Sequence, residues 1–337
     1  MIPRVSRAAY DIGLDNGRSI DEIVAIARSA EAAGFDTIWI AEQHFRRGIF
    51  SIASAVAGET ESLAVGFGVL SPFIRHPASI SMELLSLTEK WGARFKVAFG
   101  VAHHGATRLG ELPHDQVKGL EEAAIATKTL LSGGTAYVGA RLERAVPDVP
   151  LFVGSIGAKT LAMSAAVYDG ALLGVMCSPD FIGSRVALID DSLAGAGRSR
   201  EAYELSVLVL TAVSNDLGEA TDVARRSVAY YLMMIPDVTP RLAGSDLHRD
   251  DMLRLRRNLI EKAAEASIDA AGRLIPEALV HQLAVVGTPA EVAHRLSEYR
   301  DWGIDRVIAH HALGLDAPES VELLGGALFR REESPHA

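Results

Sequence analysis

Residues 63–101 read LAVGFGVLSPFIRHPASISMELLSLTEKWGARFKVAFGV. Leu63 to Leu70 is a short apolar run of strand type. Pro77 suits the first turn of a helix that carries on to Trp91, because its fixed φ and missing N–H fit that position. Phe95 to Val101 is then a second strand. A strand, a helix and a strand in this order form one unit of a parallel sheet.

The same alternation continues on both sides. Upstream, Val5 to Ile12 and Thr37 to Ala41 (TIWIA) read as strands. A helix begins after Ser19, with Glu22 completing a capping box and Gly34 just past its end. A second helix covers Ile49 to Glu59. Downstream, helices are predicted from about Asp115 to Leu131, over Ala158 to Tyr168, from Ser178-Pro179-Asp180 onward and from about Gly218 to Met234. They alternate with strands at Leu151–Val153, Ala171–Val175, Leu205–Val213 and Arg306–Ala309, and Asp316-Ala317-Pro318-Glu319 opens a terminal helix. Successive βα units of this kind predict an α/β fold, a closed (β/α)8 TIM barrel with insertions rather than an open doubly wound sheet.

Two stretches interrupt the pattern. Thr135 to Val146, behind Gly133-Gly134, alternates as a hairpin would. Pro236 to Val286 is mostly charged helix, ending before the capping box Thr288-Pro289-Ala290-Glu291. Residues 1–337 are therefore expected to form a single barrel domain with excursions at about 133–148 and 236–286. A length of 337 residues fits, since α/β barrels carry roughly 250 residues or more as one unit.

With 49% hydrophobic and 23% charged residues, the chain is neither disordered nor disulfide-stapled. The formal charge of −10 argues against nucleic acid or an anionic membrane as partner. Cys177 is the only cysteine, which fits a reducing compartment. No apolar run follows Met1-Ile2-Pro3-Arg4, and Leu205 to Val213 is too short to span a bilayer. A cytoplasmic protein is expected.

In such a barrel the loops after the strands form the active face. After strand two, Glu42-Gln43-His44-Phe45-Arg46-Arg47 could supply a proton carrier and an anion contact, or be a solvated polar loop. Gly66 and Gly68 in strand three mark either a rim bulge or a close ligand approach. Gly100-Val101-Ala102-His103-His104-Gly105 follows strand four, and His310-His311 repeats its histidine pair after strand eight; one histidine of each is expected to face the mouth. Neither HExxH nor a Cys/His ligand spacing occurs, so no metal is expected. After strand five, Gly154-Ser155-Ile156-Gly157-Ala158-Lys159 runs straight into a helix, where free backbone N–H groups and the helix dipole suit a phosphate. Cys177 has no basic or histidine neighbour in sequence and reads as a buried wall residue, not a nucleophile.

The stretches GFDTIWIAEQHF (Gly34–Phe45), GVLSPFIRHP (Gly68–Pro77), VPLFVGSIGAKTLAMSAAVYDGALL (Val149–Leu173) and VGTPAEVAHRLSEYRDWGIDRV (Val286–Val307) carry a resemblance. From about Val5 to Phe329 the chain resembles luciferase-like flavin-dependent oxidoreductases, the barrels that include bacterial luciferase and enzymes using the deazaflavin coenzyme F420. Within them it looks most like the methylenetetrahydromethanopterin reductase-like branch. The resemblance implies F420 as cofactor, with FMN as the alternative. It also implies hydride transfer to or from a small organic substrate, and a homodimer. An FMN-dependent monooxygenase is the second reading, and a cofactor-less barrel with a binding role the third.

Residue by residue, the resemblance puts a non-prolyl cis peptide at Gly68–Val69, where the resulting bulge would back the tricyclic ring. Ser71 would lie near the ring's edge, Gly154, Ser155, Ile156, Gly157 and Ala158 would receive the phosphate, and Val175 and Met176 would line the cleft. Glu42, Leu70 and Gly100 complete the implied cofactor set. His44 matches the proton-carrying histidine of luciferase-type members, with Gln43 standing where they have another histidine. His103 sits where deazaflavin relatives carry an acid, and would donate a proton as imidazolium. Substrate choice is assigned to Thr135–Val146 and Pro236–Val286.

Overall fold

Parallel strands close on themselves in the computed structural model, which describes residues 10–102, 109–110, 112–146 and 149–329. The strands are β1 (Tyr10–Asp15), β2 (Thr37–Ala41), β3 (Ala64–Leu70), β4 (Phe95–Phe99), β5 (Leu151–Gly154), β6 (Gly170–Leu173), β7 (Glu204–Val213), β8 (Val285–Gly287) and β9 (Arg306–Leu313). Neighbours run β6-β5-β4-β3-β2-β1-β9-β7, and β6 pairs with β7 to complete the ring, with β8 added at the far end of β7. The helices are α1 (Ile20–Ala33), α2 (Ile49–Gly58), α3 (Pro77–Trp91), α4 (Gln116–Leu131), α5 (Ala158–Val167), α6 (Pro179–Gly195), α7 (Leu217–Met234), α8 (Arg249–Glu265), α9 (Ile268–Gly272), α10 (Glu277–Leu283), α11 (Pro289–Asp301) and α12 (Ala317–Phe329). This is the expected TIM barrel.

Local chemistry sets the helix ends. Ser19 Oγ accepts from Glu22 N, and Glu22 Oε2 accepts from Ser19 N at 2.7 Å. Gly34 then closes α1 at φ +96°, a left-handed conformation that glycine adopts without steric cost. α1 turns Ile23, Ile26, Ala27 and Ala30 inward, the spacing of one helical face. Thr288 and Glu291 form the second expected box, with Pro289 opening α11.

Four departures from the sequence reading have physical causes. The eighth barrel strand does not stop at Ala309: β9 runs to Leu313, so His310 is a strand residue flanked by Gly13 on β1 and Leu210 on β7. The insertion ends in a strand, because Val285–Gly287 pairs with Thr211–Val213 where β6 no longer covers that edge of β7. The insertion is also several helices, α8 to α10, packed with α7 around a second apolar cluster that includes Val228, Leu232, Leu259 and Val280. At Thr135–Val146 the hairpin narrows to one antiparallel bridge, Ala136 to Ala140, turned by Tyr137 and Gly139 at positive φ.

The N-terminal ends of the strands hold a buried charge network. Arg306, opening β9, donates to Asp11 Oδ1 at 2.8 Å and lies 3.5 Å from Glu204 and 3.8 Å from Asp36. Trp39 Nε1 donates to Asp11 Oδ2 at 2.9 Å. Burial opposes the charge on Arg306, but Asp11, Glu204 and Asp36 outweigh it and hold the guanidinium pKa above its ordinary value. Among the described residues no helix is long and apolar enough to cross a membrane.

Candidate active site

The barrel interior is filled by Trp39, Ala98, Phe152, Leu172 and Ile308, with Trp39 and Phe152 edge to face at 5.6 Å. Gly66 exists for this plug, since a Cβ there would fall 2.4 Å from the Trp39 indole. Gly66 therefore answers to neither reading of the strand-three glycines, rim bulge or ligand approach, but to close packing of the protein on itself. Val69 and Leu208 pack on top of the plug and line the cleft above it. The Gly68–Val69 bond is cis, and the β3–β4 register shifts between Gly68 and Leu70. Val69 leans over the ends of two neighbouring strands. A Cβ on Gly154 would sit 2.1 Å from Val69 Cγ1, and one on Gly100 2.9 Å from Val69 Cγ2.

The cleft at the C-terminal face measures about 2410 Å³. Drug-sized ligands occupy pockets of roughly 300–1,000 Å³. There is room for a tricyclic cofactor and a second reactant together. One side is the loop from Gly154 to Gly157, which ends at the N-terminus of α5. Ser155 Oγ accepts from Gly157 N, and no side chain caps α5, so its first-turn N–H groups face outward uncapped beside Thr160. That is the chemistry a phosphate needs.

The opposite side is the loop after β2. Asn16, buried at the end of β1, pins it: its amide donates to the carbonyls of Gln43 (3.1 Å) and Arg47 (2.7 Å), and its oxygen accepts from Gln43 N (2.9 Å). The loop so fixed carries His44, which lines the cleft and whose buried Nε2 has no hydrogen-bond partner among the described residues. Glu42 also lines the cleft, but its carboxylate takes a forked contact from Arg75, at 2.9 and 3.2 Å from Nε and 2.6 Å from a terminal nitrogen. It ties this loop to the one after β3.

A further wall comes from β9 and α7. His310 is buried, lines the cleft, and is hydrogen-bonded through Nε2 to Tyr231 Oη at 2.9 Å. Gly13 leaves room for this ring, because a Cβ there would lie 2.5 Å from His310 Nδ1. Burial pushes the Tyr231 phenol pKa up, so the group stays a neutral donor and acceptor.

Of the residues expected at the site, the cleft brings together Glu42, His44, Gly68, Val69, Gly154, Ser155, Ile156, Gly157 and Val175. Others stand elsewhere. Ser71 is buried with its hydroxyl donated to the Val101 carbonyl at 3.0 Å, so it braces the ends of β3 and β4 instead of facing a ring edge. Leu70 is core, Gly100 lies beneath Val69, and Met176, at φ +62°, packs into the helical cluster of the insertion. Ala158 is the first residue of α5, just past the loop. His103 lies outside the described residues. Among the described residues, no three His, Cys, Asp or Glu side chains gather to hold a metal. Leu208, Tyr231 and Arg241 also line the cleft and Asn16 braces its β2 loop, though no motif in the sequence marks any of the four.

Cys177 donates to the Gly174 carbonyl at 3.2 Å, and burial pushes its thiol up to about 11 against weaker pulls from Arg241 and Arg185. Iodoacetamide at pH 8 should therefore label Cys177 roughly 100-fold more slowly in the folded protein than in urea, the ratio of thiolate populations. Mass spectrometry reads the two rates, and equal rates would refute the inert-wall assignment.

The family model of luciferase-like monooxygenases matches residues 5–306. The 5,10-methylenetetrahydromethanopterin reductase of Archaeoglobus fulgidus is 25% identical over 313 residues, covering 90% of this chain and 93% of that one. The fold is that of the coenzyme F420-dependent tetrahydromethanopterin reductase from Methanopyrus kandleri, at TM-score 0.85 and 19% identity over 96% of this chain and 99% of that one. It is likewise that of an F420-dependent secondary alcohol dehydrogenase solved with an F420–acetone adduct, at TM-score 0.74 and 16% identity over 94% and 97% of the two chains.

Proposed function

This chain belongs to the luciferase-like monooxygenase family, and from that premise we propose that it is a coenzyme F420-dependent oxidoreductase. Its substrate would be a small organic molecule, with chemistry of the methylenetetrahydromethanopterin reductase kind. The observation that carries this reading is the cleft itself. An apolar shelf lies between an uncapped helix N-terminus and a buried imidazole nitrogen that has no partner among the described residues. A flat heterocycle with an anionic tail fits that combination, and the two F420-dependent enzymes of this fold named above support the deazaflavin.

Gly68, Val69 and Leu208 would carry the ring, and Gly154 to Gly157 with the first turn of α5 would hold the phosphate. Bound there, coenzyme F420 supplies a two-electron centre that exchanges hydride with an electrophilic carbon. The chain's own part is positional and protic. The shelf would keep water off one face of the ring, and the breadth of the cleft would leave room for the substrate on the other. His44 Nε2, held in place through Asn16, gives or takes the proton that accompanies reduction or oxidation of the substrate.

Titrating the protein with F420, followed by the coenzyme's fluorescence, is expected to give saturable binding. Oxygen uptake with reduced FMN, together with no binding of F420, would overturn the reading in favour of a monooxygenase.

A second expected outcome follows from the shelf. Gly154→Ala places a methyl carbon against Val69. Overpacking of this kind costs about 1–3 kcal/mol. F420 affinity should fall by roughly 5- to 150-fold if the cost is met by displacing Val69 into the cleft. A lower melting temperature with unchanged F420 affinity would mean that Val69 gives way into the barrel and does not support the ring.

A further inference from the structure

Arg241 is a partly buried cation, its Nε fully so, that the proposed reaction leaves unused. It ends a 3₁₀ turn, Thr239–Arg241, in the insertion, and that turn is held against the β6–α6 junction by backbone: Ser178 N donates to the Arg241 carbonyl at 2.8 Å and Ser178 Oγ to the Ala243 carbonyl at 2.7 Å. The side chain crosses Gly174, where a Cβ would lie 2.9 Å from an Arg241 terminal nitrogen and 3.7 Å from Ile156 Cγ2. The guanidinium thus lies in the cleft wall next to the loop after β5.

Its hydrogen bonding is thin. One terminal nitrogen donates to the Val175 carbonyl at 2.9 Å, Nε is buried with no partner, and no carboxylate pairs with it among the described residues. The titratable groups acting on it are the Cys177 thiol and the Tyr231 phenol, both neutral at pH 7. Several other part-buried arginines have strong partners. Arg306 has Asp11 and Glu204, Arg75 has Glu42, and Arg198 donates to two carbonyls, those of Ala165 and Tyr168. A guanidinium taken out of water without an anion is costly, and the cost is removed when an oxyanion arrives. Arg225 also lines the cleft but is paired with Asp222, whereas Arg241 lines it with no carboxylate partner among the described residues.

We propose that Arg241 is an oxyanion anchor of the cleft, taking a phosphate or carboxylate group of a bound small molecule. This deepens the redox reading by naming a ligand class, but it rests only on the cleft being a small-molecule site. The anion has two sources, the cofactor's phosphate or an acidic group on the substrate, and both present the same chemistry to a guanidinium.

The test titrates inorganic phosphate against the melting temperature of the protein without cofactor, for wild type, Arg241→Gln and Arg241→Lys. Wild type should be stabilised, Arg241→Gln should need roughly 10- to 100-fold more phosphate for the same shift, and Arg241→Lys should fall between. In parallel, F420 and the phosphate-free ribityl deazaflavin are bound to each variant. A loss confined to F420 assigns the anchor to the cofactor. Unchanged affinity for both, with phosphate still stabilising F420-loaded wild type but not F420-loaded Arg241→Gln, assigns it to the substrate. Equal phosphate titrations in all three proteins would overturn the anchor even if F420 binds, whereas Arg241→Lys with wild-type melting and a weakened phosphate response would support it by showing that the loss is not one of folding. Failure of F420 to bind wild type, with the phosphate difference intact, would sink the redox reading and leave the anchor standing.

Discussion

Replacing His44 with glutamine should lower turnover by roughly 10²- to 10⁴-fold, the usual share of a positioned acid or base, with F420 affinity and melting temperature close to those of the parent. The argument is geometric. The His44 ring sits in a loop whose backbone is fixed by three hydrogen bonds to the Asn16 amide, none of which passes through the His44 side chain. Deleting the imidazole should therefore leave the loop in place. Its Nε2 is buried at the cleft wall and bonded to nothing else described, so a proton on that atom has no purpose in holding the fold together. Glutamine fills similar space and cannot exchange a proton at neutral pH. Single-turnover measurements with bound cofactor would separate the chemical step from release, and added imidazole should restore part of the lost rate. If Glu42→Gln rather than His44→Gln removed the rate, the assignment would be wrong. Such a result is not expected, since the Glu42 carboxylate is occupied by Arg75.

What the sequence could convey about this site follows from the range of the forces involved. Val5 to Ala9 of the first expected strand lie outside the described residues. The Ser19–Glu22 and Thr288–Glu291 boxes, the Pro77 and Pro179 starts and the strand Thr37–Ala41 are settled by neighbours within a few residues and appear as expected. So does the Gly154–Gly157 loop, because a glycine-rich turn entering a helix is a local motif. The length of β9 is different. His310 and the residues after it look like a polar loop until β1 and β7 lie on either side and offer hydrogen bonds to their backbone. Ser71 looks available until the carbonyl of Val101 is brought beside it from the next βα unit. Gly66 reads as a rim bulge or a ligand approach because nothing in its own strand reveals the Trp39 indole that needs the space. Arg241 is the extreme case. It belongs to a charged stretch in which Arg249, Arg254 and others are exposed and paired, and only closure of the insertion onto Val175 distinguishes it.

The largest loss of stability should come from the end of the barrel away from the cleft. Asp11→Ala is expected to cost about 3–5 kcal/mol, the range for removing one partner of a buried pair. The carboxylate is fully buried and receives both the Arg306 guanidinium and the Trp39 indole N–H. Without it, Arg306 keeps only the longer contacts to Glu204 and Asp36, and a buried N–H loses its acceptor. Asp11→Asn should cost less, since its amide oxygen can still accept from Trp39. Asp11→Leu combined with Arg306→Met should cost less than Asp11→Ala alone, because it removes the stranded charge along with its partner. Urea denaturation of the three variants gives this ordering directly. The same network sets a boundary on function. Asp11 fixes Trp39 from below, and Trp39 carries the plug on which Val69 and Leu208 rest. At temperatures where Asp11→Asn is fully folded its F420 affinity should match the parent, because the plug is still packed from every side. A variant that is folded yet loses cofactor would show that the shelf depends on this hydrogen bond, and that the two ends of the barrel are not energetically separate.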